Sequence, residues 1–389
     1  MARPHAASRA EDILNRRVES VLRSRHWHNR IISFTGYGSP RSARVMARVL
    51  LTHSPLEPAS ADATADEREL EAASEEQRGW RAFVTAPVLD TPVTVTLGEQ
   101  RIETRSDRAG LVDVMVEGHG LAPGWHDATI EVADARPETA PVLVVGDEQP
   151  VGIVSDIDDT VLTTMLPRPM IAAWNTFVQH TSARRAVPGM ATMYQRLMED
   201  FPGAPIVYVS TGAWNTAPFL ARFLKRHGYP MGPLLLTDWG PTNTGWFRSG
   251  QEHKRECLDR LARELPGTRW LLIGDDGQHD PKIYGEFAER SAGNVAAIAI
   301  RQLTPAEQVL SHGVPLSNEE IIEGIAANPA DEESWLSAFR RRVRLSRKQT
   351  GPVDETQVKG YVPTDEVPVV RGPDGYAILP QLRRILPGA

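Results

Sequence analysis

The chain of 389 residues has little of several features that mark particular classes of protein. Its single cysteine, Cys257, excludes disulfides and cysteine metal clusters within one chain. No apolar run approaches the roughly 18 residues that a membrane-spanning helix requires, and the first residues lack the apolar segment of a secretory signal. The formal net charge of -7 argues against a general nucleic-acid binder. We therefore expect a soluble cytoplasmic protein with no transmembrane segment and no nucleic acid as a partner.

The first 150 residues predict an amphipathic helix followed by a small all-β domain. Residues 11–24 carry apolar side chains at helical spacing, so we expect a helix within 1–29 that suits either an anionic membrane or the surface of a neighbouring domain. Short alternating runs separated by turns predict an antiparallel β-sandwich over 30–150, with 53–78 as a surface insertion, and we assign it no chemistry. The predicted strands are 44–51, 81–88, 92–97, 111–116 and 128–132.

After residue 150 the pattern changes to alternating strands and helices, which is typical of a parallel sheet covered by helices on both faces. We expect this α/β domain to span 151–312. Residues 161–187 interrupt the alternation directly after an acidic turn, and they are predicted to fold over it as a flap or small cap. The predicted strands are 151–154, 206–209, 234–236, 270–273 and 295–300, and the predicted helices are 190–199, 217–227, 252–265 and 281–290.

The stretch VGIVSDIDDT at 151–160 places three carboxylates on the turn that follows an apolar strand. Asp156 and Asp158 are two residues apart, so they point to the same side of an extended backbone. A like-charged pair this close requires a shared proton or a cation. Open α/β sheets bind ligands at the carboxyl ends of their strands, so this turn is a candidate site, with a solvated acidic turn as the alternative.

Three further polar groups follow at positions that the sheet would bring to the same edge. Ser210 and Thr211 come directly after a predicted strand, and Gly212 lets a ligand approach the backbone. Lys254 lies early in a predicted helix. A second acidic turn, GDDGQHD at 274–280, supplies Asp275, Asp276 and Asp280.

Each of these groups also has a purely structural interpretation. Ser210 and Asp280 suit helix capping, the latter because Pro281 follows it. Lys254 alone would be a solvated surface residue, and the glycines of the second turn would serve only its geometry. The spacing of all the groups around one sheet favours a common ligand.

Together the motifs resemble the haloacid dehalogenase superfamily of phosphohydrolases. DIDDT at 156–160 looks like the first superfamily motif, and Ser210, Lys254 and the 274–280 turn match the next three in order. More narrowly, VGIVSDIDDTV, YVSTGAWN, LLLTDWG, HK and LLIGDDGQHDPKIY resemble the catalytic domain of the actin-patch-associated phosphatidate phosphatases of bacterial type. The chain departs from that family with STGAWN at 210–215, where the family often has Ser-x-Ser-Pro-Trp-Asn, and with Asp276, where it often has serine.

The resemblance implies a Rossmann-like parallel-sheet phosphohydrolase core, preceded here by the small antiparallel β-sandwich. It implies Mg²⁺ as the cofactor and hydrolysis of phosphatidate or a related lipid phosphate through an aspartyl-phosphate. A soluble phosphomonoester as substrate, or a non-catalytic binding or scaffold role, stays open as an alternative.

The resemblance also assigns roles to the candidate residues. Asp156 is implied to be the nucleophile and Asp158 the general acid and base. Ser210 and Lys254 are implied to stabilise the phosphoryl group. The implied substrate-binding residues are Thr211 and Gly212, and the implied metal-site residues are Asp156, Asp158 through its backbone carbonyl, Asp275, and Asp276 or Asp280.

Residues 313–389 predict further helices and an extended tail with a short apolar end at 376–386. Residues 331–348 predict a helix with acids at its start and bases at its end. Because a lipid phosphatase without a transmembrane segment must meet its substrate at a surface, this basic end suits peripheral docking on an anionic membrane. The alternative is that the apolar stripe of the helix packs on the catalytic domain. The basic residues are Arg340, Arg341, Arg342, Arg344, Arg347 and Lys348.

Overall fold

The computed structural model describes residues 17–53, 86–147, 151–164, 184–237, 250–277, 279–304, 307 and 367–386. Over these residues the protein is mixed α/β, with one mostly antiparallel sheet before residue 147 and one parallel sheet after residue 151. The prediction of an α/β fold with a parallel sheet is confirmed. The surface insertion beyond residue 53, the flap between residues 164 and 184 and the basic helix at 331–348 lie outside the described residues.

Eight strands form the first sheet: β1 (His28–Gly38), β2 (Ser42–Thr52), β3 (Ala86–Pro87), β4 (Pro92–Leu97), β5 (Gln100–Arg105), β6 (Leu111–Glu117), β7 (Gly124–Val132) and β8 (Glu138–Val144). They are hydrogen-bonded in the order β3-β2-β1-β8-β7-β4-β5, and β6 pairs with β2. Within this sheet the β1–β8 pairing is parallel, and the other pairings between its described strands are antiparallel. Because side chains alternate along a strand, β4 buries Val93, Val95 and Leu97 on one face of the sheet.

Strands β1, β5 and β8 of this sheet were not predicted from the sequence. In β5, QRIETR, a single apolar residue is present and none is fully buried, so the strand has no hydrophobic period to detect. A tight turn specifies it instead, because Gly98 adopts a φ of 56° and Leu97 pairs with Gln100. In β8, Pro141 argues against a strand when the sequence is considered alone. Of the predicted strand 81–88, the structure describes Ala86–Pro87.

The remaining strands are β9 (Val151–Asp156), β10 (Leu162–Thr164), β11 (Arg184–Ala186), β12 (Ile206–Ala213), β13 (Leu234–Thr237), β14 (Arg269–Asp275), β15 (Val295–Arg301) and β16 (Val369–Gly372). Strands β10 and β11 pair in antiparallel orientation and lie on either side of the undescribed part of the predicted flap in the sequence. The other six form a wholly parallel sheet in the order β13-β12-β9-β14-β15-β16. All six residues of β9 are buried, as expected of a strand covered on both faces.

Five α-helices with described bounds follow residue 189: α1 (Met190–Asp200), α2 (Ala217–Arg226), α3 (Gly250–Glu264), α4 (Asp280–Arg290) and α5 (Gly375–Ile385). Helix α2 shows why they form, because it buries Ala217, Leu220, Phe223 and Leu224 at helical spacing and has a proline in its first turn. The predicted strands and helices between residues 151 and 301 are confirmed, with ends that differ by a few residues.

The expected extended tail is wrong for residues 367–386. Strand β16 adds to the parallel sheet beside β15. Asp374 is the N-cap residue of α5, and its side chain accepts a hydrogen bond from the N–H of Ala377 (3.0 Å). Helix α5 lies against α1, where Arg383 donates two hydrogen bonds to Asp200 (2.7 and 2.9 Å). The strand is four residues long and its partner lies about 70 residues earlier, so no local pattern reveals it.

The predicted N-terminal helix is described only in part, over residues 17–23. Leu22 and the following Trp27 pack against the hydrophobic core of the first sheet, whereas Val18 and Val21 are exposed. This contact favours the interpretation in which the helix covers a domain of its own chain. Among the described helices, none combines the length and the apolar composition that crossing a membrane demands.

Candidate active site

The candidate residues meet at the carboxyl edge of the parallel sheet. Strand β9 is hydrogen-bonded to β12 on one side and to β14 on the other. Asp156 ends β9, Asp275 ends β14, and Ser210 lies in the last part of β12. The ends of parallel strands share one edge, so three chain segments more than 50 residues apart deliver their polar side chains to the same place.

Lys254 forms a buried ion pair with Asp156. Its Nζ lies 2.7 Å from Oδ1 of Asp156 and 2.5 Å from Oδ1 of Asp280. Burial alone would lower the pKa of Lys254, but the charges of Asp156 and Asp280 outweigh it and raise that pKa above its ordinary value. The lysine is therefore a fixed positive charge inside the site, and the solvated-surface interpretation does not describe it.

Three carboxylates surround that charge. Asp156, Asp275 and Asp280 are each about 3% exposed, and one oxygen atom of each lies within 4.8 Å of the others. Burial raises the pKa of Asp156 to about 7 against the opposing charge of Lys254, with Asp280 and Asp158 raising it further. Burial, and next the charge of Asp280, likewise raise the pKa of Asp275. Three buried carboxylates facing one ammonium leave an excess of negative charge, and hard oxygen donors of this kind suit a divalent cation such as Mg²⁺.

Asp280 reaches this cluster because Gly274 has no side chain. A Cβ atom on Gly274 would collide with the Asp280 carboxylate and would lie 2.8 Å from the ring of Tyr284. The Asp280 carboxylate accepts from Lys254 and, at 3.4 Å, from the N–H of Asp275. His279 occupies the N-cap position of α4, so the helix-capping interpretation of Asp280 does not describe its contacts.

Asp276 lies next to the cluster in sequence but is not part of it. Its Oδ1 accepts a hydrogen bond from the N–H of Leu303 (2.8 Å), and its own N–H donates to the carbonyl of Arg301 (3.0 Å). Successive side chains of an extended segment point to opposite sides, so Asp275 and Asp276 diverge at the end of β14. That alternation was the available signal for separating the two residues.

Ser210 and Asp158 form a second polar group beside the first. Ser210 Oγ donates to Oδ2 of Asp158 (3.0 Å) and accepts from the N–H of Gly212 (3.0 Å). Ser210 is buried, whereas the neighbouring Thr211 is exposed. A Cβ atom on Gly212 would lie 3.2 Å from Ser210 Oγ, so the absence of a side chain there keeps the serine hydroxyl in place. Helix α2 begins at Ala217, beyond the reach of Ser210 as its cap.

Arg301 is a buried residue at this edge that the sequence analysis missed. It is 4% exposed, and its Nη1 donates to the carbonyl of Asp159 (2.7 Å) in the first acidic turn. Its Nε donates to the carbonyl of Pro373 (3.1 Å) and its Nη2 to Glu307 (2.7 Å). Asp159 has a φ of 61°, a left-handed conformation that the guanidinium helps to hold. The position of Arg301 at the end of β15 was the signal that would have found it.

Comparison with known proteins agrees with the motifs. Residues 151–302 match a protein family described as "Phosphatidate phosphatase APP1, catalytic domain". The resemblance to the phosphatidate phosphatase family that the motifs carried is thereby confirmed for that segment, and the wider haloacid dehalogenase superfamily is consistent with it.

Two curated proteins from yeasts are similar to parts of the chain. Phosphatidate phosphatase APP1 of Saccharomyces cerevisiae is 26% identical over 254 residues, which cover 61% of this chain and 43% of the yeast protein. The uncharacterized protein C29B5.04c of Schizosaccharomyces pombe is 26% identical over 174 residues, which cover 44% of this chain and 28% of that protein. The chain thus spans less than half the length of either relative.

One solved structure resembles this chain weakly. A carbohydrate acetylesterase from Xanthomonas citri covers 72% of this chain and 70% of its own, with 11% identity and a TM-score of 0.24. Such a score carries no argument about this chain.

Proposed function

We propose that this protein is a divalent-cation-dependent phosphatase that hydrolyses phosphatidate or a related lipid phosphate. The observation that carries the proposal is the buried Lys254–Asp156 pair, set among further carboxylates at the carboxyl edge of the parallel sheet. It lies inside the segment that matches a phosphatidate phosphatase catalytic domain. Within this proposal the parallel sheet is a Rossmann-like phosphohydrolase core and the region before it is a β-sandwich.

In the proposed reaction Asp156 attacks the phosphorus atom and forms an aspartyl-phosphate, which water then hydrolyses. Lys254 holds Oδ1 of Asp156 at 2.7 Å, which leaves the second carboxylate oxygen for the attack. Lys254 also offsets charge as nucleophile and phosphoryl group come together. An intermediate of this kind replaces one difficult step by two easier ones.

Asp158 and Ser210 act on the other side of the phosphoryl group in this proposal. Asp158 protonates the leaving oxygen and later accepts a proton from the hydrolytic water. Ser210 donates to Asp158 at 3.0 Å, and when substrate is present it donates that single proton to a phosphoryl oxygen instead. Thr211 and Gly212 supply the adjoining surface of the substrate site.

The carboxylates of Asp156, Asp275 and Asp280 are the residues we propose to hold Mg²⁺, with the backbone carbonyl of Asp158 as a further ligand. When bound, the cation would neutralise carboxylate charge and polarise the phosphoryl group. Asp276, whose carboxylate is engaged by the loop after β15, serves that loop in this proposal.

Phosphatidate is proposed as the substrate because the family that matches residues 151–302 and the yeast relative both carry that name. A lipid substrate requires the protein to work at a membrane surface, so we propose peripheral association rather than a membrane span. A soluble phosphomonoester is the competing substrate class.

Phosphate release measured side by side on two kinds of substrate tests the proposal. We expect Mg²⁺-dependent release from phosphatidate in detergent micelles, with slower release from a panel of soluble sugar and nucleoside phosphates at equal concentration. If one soluble phosphate were hydrolysed faster than phosphatidate, that soluble phosphate would replace phosphatidate as the proposed substrate. No release from any phosphomonoester would overturn the phosphatase proposal itself.

A further inference from the structure

Thr237 is a buried hydroxyl residue beside the candidate site to which no role has been given above. It is the last residue of β13, the outermost strand on one side of the parallel sheet, and it is 8% exposed. Its Oγ1 lies 2.9 Å from the carbonyl oxygen of Thr211 and 3.2 Å from that of Gly212, and it donates its single proton between them. These two carbonyls belong to the last residues of β12, which follow the buried part of the strand.

The hydrogen bond to Thr211 fixes one peptide unit from one end. The carbonyl of Thr211 and the N–H of Gly212 belong to the same planar trans peptide, so they point in opposite directions. Thr237 holds the carbonyl end, and the N–H end donates to Ser210 Oγ at 3.0 Å. The orientation of this peptide is therefore set by contacts on both of its sides.

The same peptide decides in which direction the Ser210 hydroxyl donates. A hydroxyl oxygen that accepts from the Gly212 N–H keeps its own proton for another partner. In this site that partner is Oδ2 of Asp158, at 3.0 Å. A continuous series of hydrogen bonds thus runs from the Thr237 hydroxyl through the Thr211–Gly212 peptide to Ser210 and Asp158.

We propose that Thr237 is a positioning residue of the phosphatase site. It holds the Thr211–Gly212 peptide so that the Ser210 hydroxyl donates toward Asp158 and, in the substrate complex, toward the phosphoryl oxygen. This inference rests on the proposed phosphatase function for its kinetic consequence, but the geometry of the peptide can be tested without any turnover. Thr237 acts through other residues and does not touch the reacting atoms.

Three variants separate positioning from general stability. Thr237→Val keeps the size and branching of the side chain and removes the hydroxyl, whereas Thr237→Ser retains the hydroxyl. Thr268→Val is the matched control, because Thr268 is also buried (2% exposed) but precedes the first residue of β14, at the amino-terminal end of that strand and away from the carboxyl ends that carry the site. The thermal unfolding midpoint of each variant is recorded alongside its kinetics.

With p-nitrophenyl phosphate and Mg²⁺, we expect Thr237→Val to lower kcat/KM by about 10- to 100-fold, since small displacements of positioned groups have effects of that order. Thr237→Ser and Thr268→Val should stay within about threefold of the parent protein. The positioning role is overturned if Thr237→Val keeps the parent kcat/KM, or if Thr237→Ser loses as much as Thr237→Val. In either of those cases the phosphatase proposal stands.

Hydrogen–deuterium exchange of the short peptide that contains Gly212 provides the readout that needs no activity. We expect faster exchange there in Thr237→Val than in Thr237→Ser or Thr268→Val, because the N–H of Gly212 loses its fixed orientation. If the parent protein hydrolyses no phosphomonoester, the proposed function fails, and exchange alone decides whether Thr237 orders the end of β12. Unchanged exchange in Thr237→Val would overturn the inference whatever the activity.

Discussion

At the scale of single residues, the site depends on a charge imbalance that is buried. One ammonium group faces three carboxylates that are almost inaccessible to water. Unpaired buried charge is costly, and proteins relieve that cost by binding a proton or a cation. The cluster is therefore expected to respond to both pH and divalent metal.

The pH response follows from the raised pKa values. Burial above all raises the pKa of Asp156 from 3.8 to about 7, so between these values the folded, cation-free protein binds more protons than the unfolded chain. The free energy of unfolding should then fall as pH rises through that interval. Bound cation replaces the proton and should flatten this dependence. Thermal midpoints from pH 5 to pH 8, in EDTA and in Mg²⁺, measure both slopes, and equal slopes would contradict the prediction.

Two aspartates of the second acidic turn make a matched pair for testing the metal site. Asp280→Asn removes a carboxylate of the cluster, so we expect its affinity for Mn²⁺ or Mg²⁺ to fall at least about tenfold. Asp276→Asn alters a carboxylate that accepts from Leu303, and its affinity should stay within about threefold of the parent value. Isothermal titration calorimetry measures both. A larger loss in Asp276→Asn would show that the two residues exchange roles when metal binds.

At the scale of secondary-structure elements, the C-terminal strand and helix complete the parallel sheet. Strand β16 pairs with β15, and α5 buries Ile378 and Leu382. Arg301 links this segment to the first acidic turn, because it donates both to the carbonyl of Pro373 and to that of Asp159. The last part of the chain therefore supports the geometry of a turn more than 200 residues earlier.

A core substitution in α5 tests this placement. Leu382→Ala should lower the free energy of unfolding by about 2–5 kcal/mol, because it leaves a cavity in a packed core. Arg384→Ala, at an exposed position of the same helix, should change it by less than about 0.5 kcal/mol. Urea denaturation measures both values. Equally small effects of the two substitutions would indicate that the segment is an extended tail, as its sequence suggested.

The elements also explain which parts of the fold were predictable. The strands of the parallel sheet, such as β9, are continuous apolar runs because both of their faces are covered. In the helices that cover them, apolar residues recur with the helical period of 3.6 residues. Strand β5 is polar and forms through a turn, and β16 is short and finds its partner only in three dimensions. The prediction therefore failed where pairing, rather than burial, defines the strand.

The candidate site likewise contains some features that the sequence pattern predicts and others that depend on contacts between distant segments. That Asp156, Ser210, Lys254 and Asp275 lie close together could be predicted, because each follows, or lies between, strands whose ends must share one edge of the sheet. The choice between Asp276 and Asp280 depends on a hydrogen bond to Leu303, which sits on a different loop. The alternation of side chains along the strand sets Asp276 apart from Asp275, but no local pattern contains the contact with Leu303.

At the scale of the whole molecule, the first sheet touches the two segments that carry Lys254 and Ser210. Tyr37 and Arg44 of the first sheet donate to the carboxylate of Glu264 (2.6 and 3.0 Å), which ends the helix that carries Lys254. The ring of Phe34 lies 4.8 Å from that of Trp214, four residues beyond Ser210. Burial, with the charge of Glu264 adding to it, raises the pKa of Tyr37, so its hydroxyl remains a donor.

This interface predicts that the two sheets stabilise each other. Glu264→Gln removes the charged group that accepts from Tyr37 and Arg44, and the ion pair between Arg44 and Glu264 is largely buried. The substitution should therefore lower the free energy of unfolding by about 1–3 kcal/mol. Asp90→Asn, which weakens an exposed ion pair with Arg105 inside the first sheet, should cost less than about 1 kcal/mol. Chemical denaturation compares them. Equal effects would indicate that the contact between the sheets contributes little.

The proposed phosphatase reaction requires Asp156 as the group that attacks phosphorus. The measurement that tests it most directly is turnover of p-nitrophenyl phosphate by Asp156→Asn, with thermal midpoint as a check on folding. We predict that kcat falls at least about 10³-fold in Mg²⁺, because the substitution removes the nucleophile and a carboxylate of the cation site together. The variant should remain folded, and the parent protein should lose its activity in excess EDTA. Undiminished turnover in Asp156→Asn would contradict the account.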